Sequence, residues 1–438
     1  MEDPFGTAAL RKSVLDAWAA SPTRFREDAN AEEDLRLGGY ADTWFVELAQ
    51  NAADAAGGAG RLRVTLVPDG SAPAGGVGSA GSAGWPELRV ANTGAPLTAE
   101  GVAALASLRA SAKRHEAGAV GRFGVGFAAV LAVSAEPRVV STSGAVAFSA
   151  DRTAAAVADL PGPAAELARR DTPPVLRLVW PSAEHPPDGY STEVRLPLRD
   201  GVDGTALLAN ARSTATDLLL ALPALVEIDV DGHVVRREER DGVVEIGPRR
   251  WRLMRRAGVL AVTDVAVEQR DRQEWSVTWA LPLSGPLGAD VAHAPTATAE
   301  ALTLPARLIA TLPLEPDRRR VRLGPVTDAV LDGAAAAYVD LVRSVAPEER
   351  LALVPRPDFP RSPLDGALRA RILAALRTAA WLPAASPPAE RGAAGLDEGA
   401  LGAAGWEQRA SAGRGQDAAA AVREQAAPAG SEPGAPAA

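Results

Sequence analysis

Three polar side chains fall on one face of a predicted helix. Glu47, Asn51 and Asp54 are four and three residues apart, which places them within about 60° of one another around an α-helix. On such a face one carboxylate can polarise a water molecule, an amide oxygen can bind a hard cation, and the second carboxylate can orient both groups. The alternative is an amphipathic helix with a polar edge.

A glycine-rich segment further along the chain is suited to holding an anion. Gly121, Gly124 and Gly126 allow positive φ and a close approach of backbone N–H groups to a phosphate. Lys113 lies just upstream, where its ammonium group adds a positive point charge. A tight loop between two elements is the alternative, and the glycines do not follow the order of the dinucleotide-binding fingerprint.

A third feature is Asn92-Thr93-Gly94 at the end of a predicted strand. A strand that ends in this way brings polar side chains and a bare backbone to the rim of a sheet. Taken alone, the tripeptide is typical of a turn.

Alternating helix and strand patterns must position these features. Helical patterns cover 40–56 and 98–109, and strand patterns cover 61–67, 87–92, 137–141, 145–148, 176–180 and 193–198. Helices segregated from a run of strands predict an α+β sandwich with a mixed sheet.

A second unit is expected to begin near residue 203. It has a helix over 205–222, then short strands over 226–230, 234–237, 243–246, 251–254, 259–262, 275–281 and 307–314, and helices over 325–345 and 363–382. The domains are therefore expected at 1–200, 201–345 and 346–383. Residues 384–438 are rich in Ala, Gly and Pro and are expected to be disordered, because they offer little apolar surface to bury.

Composition excludes several kinds of protein. The chain has 46 basic and 55 acidic residues, a net charge of −9, which disfavours general binding to nucleic acid or acidic membranes. It has no cysteine, so disulfides, thiolate metal sites and cysteine nucleophiles are excluded. No secretory signal or long uncharged apolar run is visible, which predicts a cytoplasmic protein that does not span a membrane.

The three features, in this order, resemble the nucleotide-binding motifs of the GHKL superfamily of gyrases, heat-shock chaperones, histidine kinases and MutL proteins. The string from Glu47 to Ala55 resembles its N box, and Asn92-Thr93-Gly94 resembles its adenine-contacting motif. The segment 121–127 resembles its phosphate loop, in the version found in ninety-kilodalton heat-shock chaperones and sacsin. The resemblance covers residues 35–198 and implies a Bergerat-type α/β sandwich. Residues 203–345 resemble a chaperone middle domain only loosely.

The resemblance also implies roles for individual residues. Glu47 is the general base for the attacking water, and Asn51 holds Mg²⁺ at the ATP phosphates. Asp54 and Asn92 lie near the adenine, beside which Gly94 leaves room, and residues 97–120 form a mobile lid. The phosphates are held by the backbone of Gly121, Arg122, Phe123, Gly124, Val125, Gly126 and Phe127, with Lys113 nearby.

In chaperone-type members of the superfamily a basic residue from the following domain reaches the γ-phosphate. Arg318, Arg319 and Arg320 follow a predicted strand, and one of the three, with Arg319 taken as the candidate, could stabilise charge during transfer. A solvated turn is the alternative.

Two departures from the superfamily pattern affect the base-binding motif. Asn92 stands where the superfamily usually has Asp, so the hydrogen bond to the adenine amine loses its charge and weakens by about 1 kcal/mol. Pro96 stands where a second glycine is expected and restricts the backbone beside the base.

The sequence leads to two hypotheses. The first is an ATP-binding, slowly ATP-hydrolysing, chaperone-like protein that acts on client or regulatory proteins. The second is a nucleotide-binding regulatory or scaffold module with little or no hydrolysis. A histidine kinase is disfavoured because no His precedes the N box.

Overall fold

The computed structural model of the protein describes residues 3–37, 43–68, 86–107, 126–170, 172–260, 274–287, 290–315 and 319–382. The helices are α1 (Thr7–Ala20), α2 (Pro22–Leu37), α3 (Trp44–Ala56), α4 (Ala99–Leu105), α5 (Ala150–Val157), α6 (Pro161–Leu167), α7 (Gly204–Ala221), α8 (Pro325–Ser344) and α9 (Pro363–Thr378). Two 3₁₀ helices lie at Gly126–Ala132 and Arg350–Leu353. Within these ranges no helix is both long and apolar enough to cross a bilayer.

The strands follow the same numbering in chain order. They are β1 (Gly60–Val67), β2 (Glu87–Asn92), β3 (Arg138–Ser141), β4 (Gly144–Ala147), β5 (Trp180–Ser182), β6 (Thr192–Pro197), β7 (Leu225–Val230), β8 (His233–Arg240), β9 (Val243–Ile246), β10 (Arg249–Val259), β11 (Glu274–Pro282), β12 (Asp290–His293), β13 (Ala297–Leu302) and β14 (Arg307–Ala310).

These strands form one sheet in the order β13-β12-β14-β11-β10-β9-β8-β7-β1-β2-β6-β3-β4-β5. β7 runs parallel to β1, and β12 runs parallel to β14. The other neighbouring strands are antiparallel. The predicted α+β class with a mixed sheet is therefore confirmed.

α3 forms because its apolar side chains recur at helical spacing. Trp44, Leu48 and Ala52 are buried along one stripe, and the helix packs on β1, β2 and β7. It ends at Gly57, whose φ of 62° is left-handed and suits glycine. The apolar stripe therefore holds α3 against the centre of the sheet.

Two apolar cores lie on opposite faces of the sheet. Leu253 on β10 and Ala280 on β11 are register partners and belong to the core that also contains α3 and α7. Trp279, the neighbour of Ala280, belongs to the core built with α8 and α9. Since successive side chains of a strand point to opposite faces, the two groups of helices cover different sides of β10 and β11.

The boundary expected near residue 200 falls between β6 and α7. The sheet continues across it because β7 pairs with β1, and α7 contributes Leu208 and Leu218 to the same core as α3. The described residues up to 382 form one compact unit. The segment 384–438, expected to be disordered, lies outside the described residues.

Candidate functional site

The three polar residues of the predicted helical face all lie on α3. Glu47 is in its first turn and is buried, with 6% of its surface exposed. Asn51 and Asp54 follow on the same side and are half-buried. The structure therefore brings the three side chains to one edge of the helix, with the carboxylate of Glu47 the most shielded from water.

Gly126 packs directly against Glu47. A methyl group on Gly126 would overlap Oε2 of Glu47 and would lie 3.0 Å from its Cδ. Gly126 begins the 3₁₀ helix Gly126–Ala132, which packs on α3 and buries Phe127 in the core. The end of the predicted phosphate loop and the predicted general base are therefore neighbours.

Gly94 meets the other end of α3. Its φ is 121°, and a methyl group there would overlap the carbonyl oxygen of Ala55 and lie 2.9 Å from the Cα of Ala56. The backbone N–H of Ala95 donates to the same Ala55 carbonyl at 2.8 Å. Gly94 is therefore required for close packing of the strand end on the helix, next to Asp54.

Asn92 is the last residue of β2 and is half-buried. Its side-chain amide donates to the carbonyl of Thr93 at 3.1 Å, and its own carbonyl accepts from the N–H of Ser191 at 3.0 Å. Its register partner Leu62 is buried in the α3 core. Partners across antiparallel strands share a face, so the Asn92 side chain is on the α3 side of the sheet.

Two hydroxyl residues, which sequence patterns alone do not single out, share a row with Asn92. Thr192 is the register partner of Asn92, and Ser141 is the partner of Thr192. Their hydroxyl oxygens are 3.1 Å apart, and Ser141 also accepts from the N–H of Leu97 at 3.0 Å. Ser141 ends a strand that the sequence predicts, and Thr192 directly precedes another, which was the only signal available for finding them.

The predicted lid, residues 97–120, is described only as far as residue 107. Thr98 caps α4 by accepting from the N–H of Gly101, and Val102 is fully buried. Ser143 donates to the carbonyl of Leu97 at 2.6 Å, so the β3–β4 hairpin holds the start of this segment. Residues 108–120, including Lys113, lie outside the described ranges.

Several predicted phosphate-loop residues also lie outside the described residues. They are Gly121, Arg122, Phe123, Gly124 and Val125. Their predicted backbone contacts with phosphate stay predictions.

Arg319 is not brought to this site. It is exposed, and its carbonyl accepts from the N–H of Ala299 on β13, the last strand at one end of the sheet. β13 is separated from β1 by seven intervening strands. With neighbouring strands about 4.8 Å apart, the path along the sheet is on the order of 40 Å.

The two glycine contacts define the two ends of the candidate site. Glu47 with Gly126 marks one end of α3, and Ala55 with Gly94 marks the other. At about 1.5 Å per residue the two contacts are about 12 Å apart along the helix. The arrangement offers a carboxylate at one end and amide and hydroxyl groups at the other.

Comparison of the chain with models of known protein families finds no match, and no curated protein matches it.

Proposed function

We propose that this protein binds ATP together with Mg²⁺ and hydrolyses it slowly, as a chaperone-like protein of the GHKL type. The observation that carries the proposal is the pair of contacts on α3, Glu47 with Gly126 and Ala55 with Gly94. Through these contacts the predicted phosphate loop and the predicted base-binding motif both meet α3, the helix that carries the third motif. The separation of the contacts suits a ligand with a base at one end and phosphates at the other.

The end of α3 near Glu47 is the phosphate end in this proposal. The buried carboxylate of Glu47 takes a proton from water as the water oxygen attacks the terminal phosphorus and the bond to the bridging oxygen breaks. Gly126 allows the backbone to approach because it has no side chain. The packing of Gly126 against Glu47 limits where the carboxylate can lie, which favours proton transfer in a defined geometry.

The residues present fit a magnesium ion bound with a nucleotide. Among the described residues, no cluster of three or more His, Asp and Glu side chains could hold a metal ion by itself. Mg²⁺ that arrives with a nucleotide needs only one or two protein oxygens, because phosphates and water complete its shell. Asn51, half-buried one turn beyond Glu47, would supply that oxygen. When bound, the ion neutralises charge on the phosphates.

The other end of α3 is the base end. Asn92 presents an amide on the α3 side of the sheet, next to Thr192 and Ser141. The amide oxygen of Asn92 would accept from the exocyclic amine of adenine, and the hydroxyl of the half-buried Thr192 would hydrogen-bond to a ring nitrogen directly or through water. Ser141 is fully buried and donates to the carbonyl of Ser191, so it supports Thr192 and does not meet the base. Asp54 lies beside Ala55 and would complete the polar wall.

The alternative function is a nucleotide-binding regulatory or scaffold module with little or no hydrolysis. Asn92 favours it, because a neutral amide accepts a weaker hydrogen bond from the base than a carboxylate does. Pro96 favours it too, because its ring restricts the backbone next to Gly94. Both alternatives use the same site and differ in whether phosphate is released.

We propose that nucleotide binding changes how the two cores are arranged. Through this change the protein would act on client or regulatory proteins in the cytoplasm. Support comes from the sheet, which continues from β1 through β7 to β10 and β11, where the α3 core and the core of α8 and α9 share strands. Nucleic acid and membranes are not proposed as partners, given the net charge of −9. The location of Arg319 gives it no part in the proposed reaction in this arrangement.

The test combines binding and turnover in the full chain. Phosphate release should be lost in Glu47→Ala and kept in Glu238→Ala, a control at an exposed glutamate. Affinity for ATP with Mg²⁺ should fall in Asn51→Ala and stay constant in Asn210→Ala, an exposed asparagine of α7. Unchanged rate and affinity in the Glu47 and Asn51 variants would end the proposal. Calorimetric binding of ATP with negligible phosphate release by the wild type would select the alternative.

A further inference from the structure

A buried carboxylate on α2 organises the chain that precedes β5. Glu32 has 4% of its surface exposed and accepts from the N–H groups of Val175 at 2.5 Å and Leu176 at 3.0 Å. Burial raises the pKa of Glu32 to about 7, against the two hydrogen bonds and the nearby guanidinium of Arg177, while Asp28 adds to the rise. The segment is therefore fixed to α2 through a side chain.

Arg177, the next residue of that segment, points to a different element. It is 8% exposed, and its Nη1 donates to the carbonyl of Ala106 at 2.5 Å. Its Nε lies 3.4 Å from a carboxylate oxygen of Asp28, whose other oxygen accepts from the indole N–H of Trp18 at 2.9 Å. A single guanidinium thus joins α2 to the residue that follows α4.

α4 depends on such contacts for its position. It has seven residues, and a helix of this length is not stable by itself in water. Val102 and Ala106 attach it to the α3 core, and Ser141 and Ser143 hold the residue before its cap. Arg177 holds the opposite end with a charged donor, and hydrogen bonds from charged groups are the strong ones.

We propose that Arg177 is a positioning residue for the nucleotide site: together with Asp28 it fixes the last turn of α4. This inference rests on the proposed function, because α4 lies in sequence between Asn92-Thr93-Gly94 at the base end and Gly126 at the phosphate end. The same α2 that carries Asp28 and Glu32 also packs on the 3₁₀ helix that begins at Gly126. Arg177 therefore ties the last turn of α4 to the helix that supports the phosphate end of the site, and it acts through position, without a contact to the ligand.

The first experiment measures α4 itself and needs no nucleotide. Amide hydrogen exchange of the full chain should be about tenfold faster or more over 99–106 in Arg177→Met than in the wild type. The matched control is Arg252→Met, because Arg252 donates to the carbonyl of Ser344, the last residue of α8. That control should leave exchange over 99–106 unchanged. Unchanged exchange in Arg177→Met overturns the inference.

The second experiment measures the consequence for the ligand. Binding of a non-hydrolysable ATP analogue with Mg²⁺ should weaken about tenfold in Arg177→Met, and KM for ATP should rise while kcat changes less than twofold. Arg177→Lys keeps the charge but cannot make both contacts, and should be intermediate; it also serves if the methionine variant fails to fold. Faster exchange with unchanged affinity and KM would make Arg177 merely structural and overturn the positioning role.

The two experiments separate this inference from the proposed function. If the wild type does not bind the analogue, the proposed function and the nucleotide role of Arg177 both fail. Exchange over 99–106 still decides whether Arg177 holds α4. If the wild type binds the analogue and Arg177→Met binds it equally well, only the positioning role fails.

Discussion

Oε2 of Glu47 occupies the space that a side chain at Gly126 would need. The two residues belong to motifs far apart in the sequence, and the fold brings them together because the 3₁₀ helix Gly126–Ala132 packs on α3. The position of the Glu47 carboxylate therefore depends partly on the absence of a side chain at Gly126. This relationship can be tested by adding a single methyl group.

Gly126→Ala should stop ATP turnover while it leaves ATP affinity within about threefold. The added methyl group displaces the end of a flexible Glu47 side chain and does not meet rigid backbone, so we expect the carboxylate to move and the fold to persist. Phosphate release and calorimetric binding measure the two effects. Gly366→Ala in α9, where the nearest atoms are 3.4 Å away, is the control.

A compensating change sharpens this prediction. Glu47→Asp shortens the side chain by one methylene, so the double variant Gly126→Ala/Glu47→Asp should recover part of the turnover that Gly126→Ala loses. A Gly126→Ala protein with wild-type phosphate release would show that the contact has no bearing on hydrolysis.

Gly94→Ala should destabilise the protein by about 2–4 kcal/mol. The substitution combines a strained φ of 121° with overlap against the backbone of Ala55, and backbone cannot yield as a flexible side chain can. Gly58→Ala provides the matched control, since its φ is 139° but nothing lies within 4 Å of the added group. Urea denaturation of both variants separates strain from packing. Equal losses would mean that the contact between Gly94 and α3 contributes nothing.

Local sequence patterns predicted the elements that carry the candidate site. The strand predicted over 87–92 is confirmed as β2 (Glu87–Asn92), and the helix ends at Ala56 as predicted because Gly57 adopts a left-handed conformation. The row formed by Asn92, Thr192 and Ser141 could not be predicted. It depends on the register of three strands, which the residues of one strand do not determine.

α2 was not predicted from the sequence, for a physical reason. Half of the α2 residues are charged, and among the α2 side chains that the structure describes only Phe25, Ala29 and Glu32 are buried, at spacings of four and three residues. One of these three is a carboxylate, so the apolar stripe that predicts a helix is reduced to two residues. Its stability depends on packing against other elements and is not visible in its own pattern.

The strand predicted over 176–180 is wrong for all but its last residue. β5 begins at Trp180, and residues 176–179 are not in a strand. The N–H groups of Val175 and Leu176 donate to Glu32, so a side chain takes the place that a neighbouring strand would fill. A buried apolar run predicts burial, but the hydrogen-bond partner of its backbone is decided by the tertiary structure.

Arg307→Met should cost about 3–5 kcal/mol of stability. Arg307 has a side chain 10% exposed and pairs with Asp290 at 2.9 Å and with Asp217 of α7 at 2.6 Å. Removing it leaves the buried Asp290 carboxylate without its cation, which is far more costly than losing an exposed pair. Arg236→Met, which breaks the more exposed pair with Glu227, should cost less than about 1 kcal/mol. Urea denaturation of the two variants measures these losses of stability. Equal losses would show that burial of the Arg307 ion pairs makes no difference.

Glu32→Gln should change how stability depends on pH. Burial raises the pKa of Glu32 to about 7 from an ordinary value of 4.5, with Asp28 acting in the same direction and Arg177 in the opposite one. The folded protein therefore holds this proton more tightly than the unfolded chain. Its contribution to stability is fully present below pH 4.5 and is lost as the pH rises through 7, a total of about 3 kcal/mol.

Denaturation between pH 5 and 8 measures this contribution as a difference between proteins. The free energy of unfolding of the wild type, minus that of Glu32→Gln, should fall by about 2–3 kcal/mol across the interval. Glu33→Gln removes the exposed neighbouring carboxylate on the same helix, and its difference from the wild type should stay nearly flat. If the Glu32 difference is flat as well, then Glu32 ionises in the folded protein as an ordinary glutamate does, and its burial between α2 and the segment before β5 must be relieved by water.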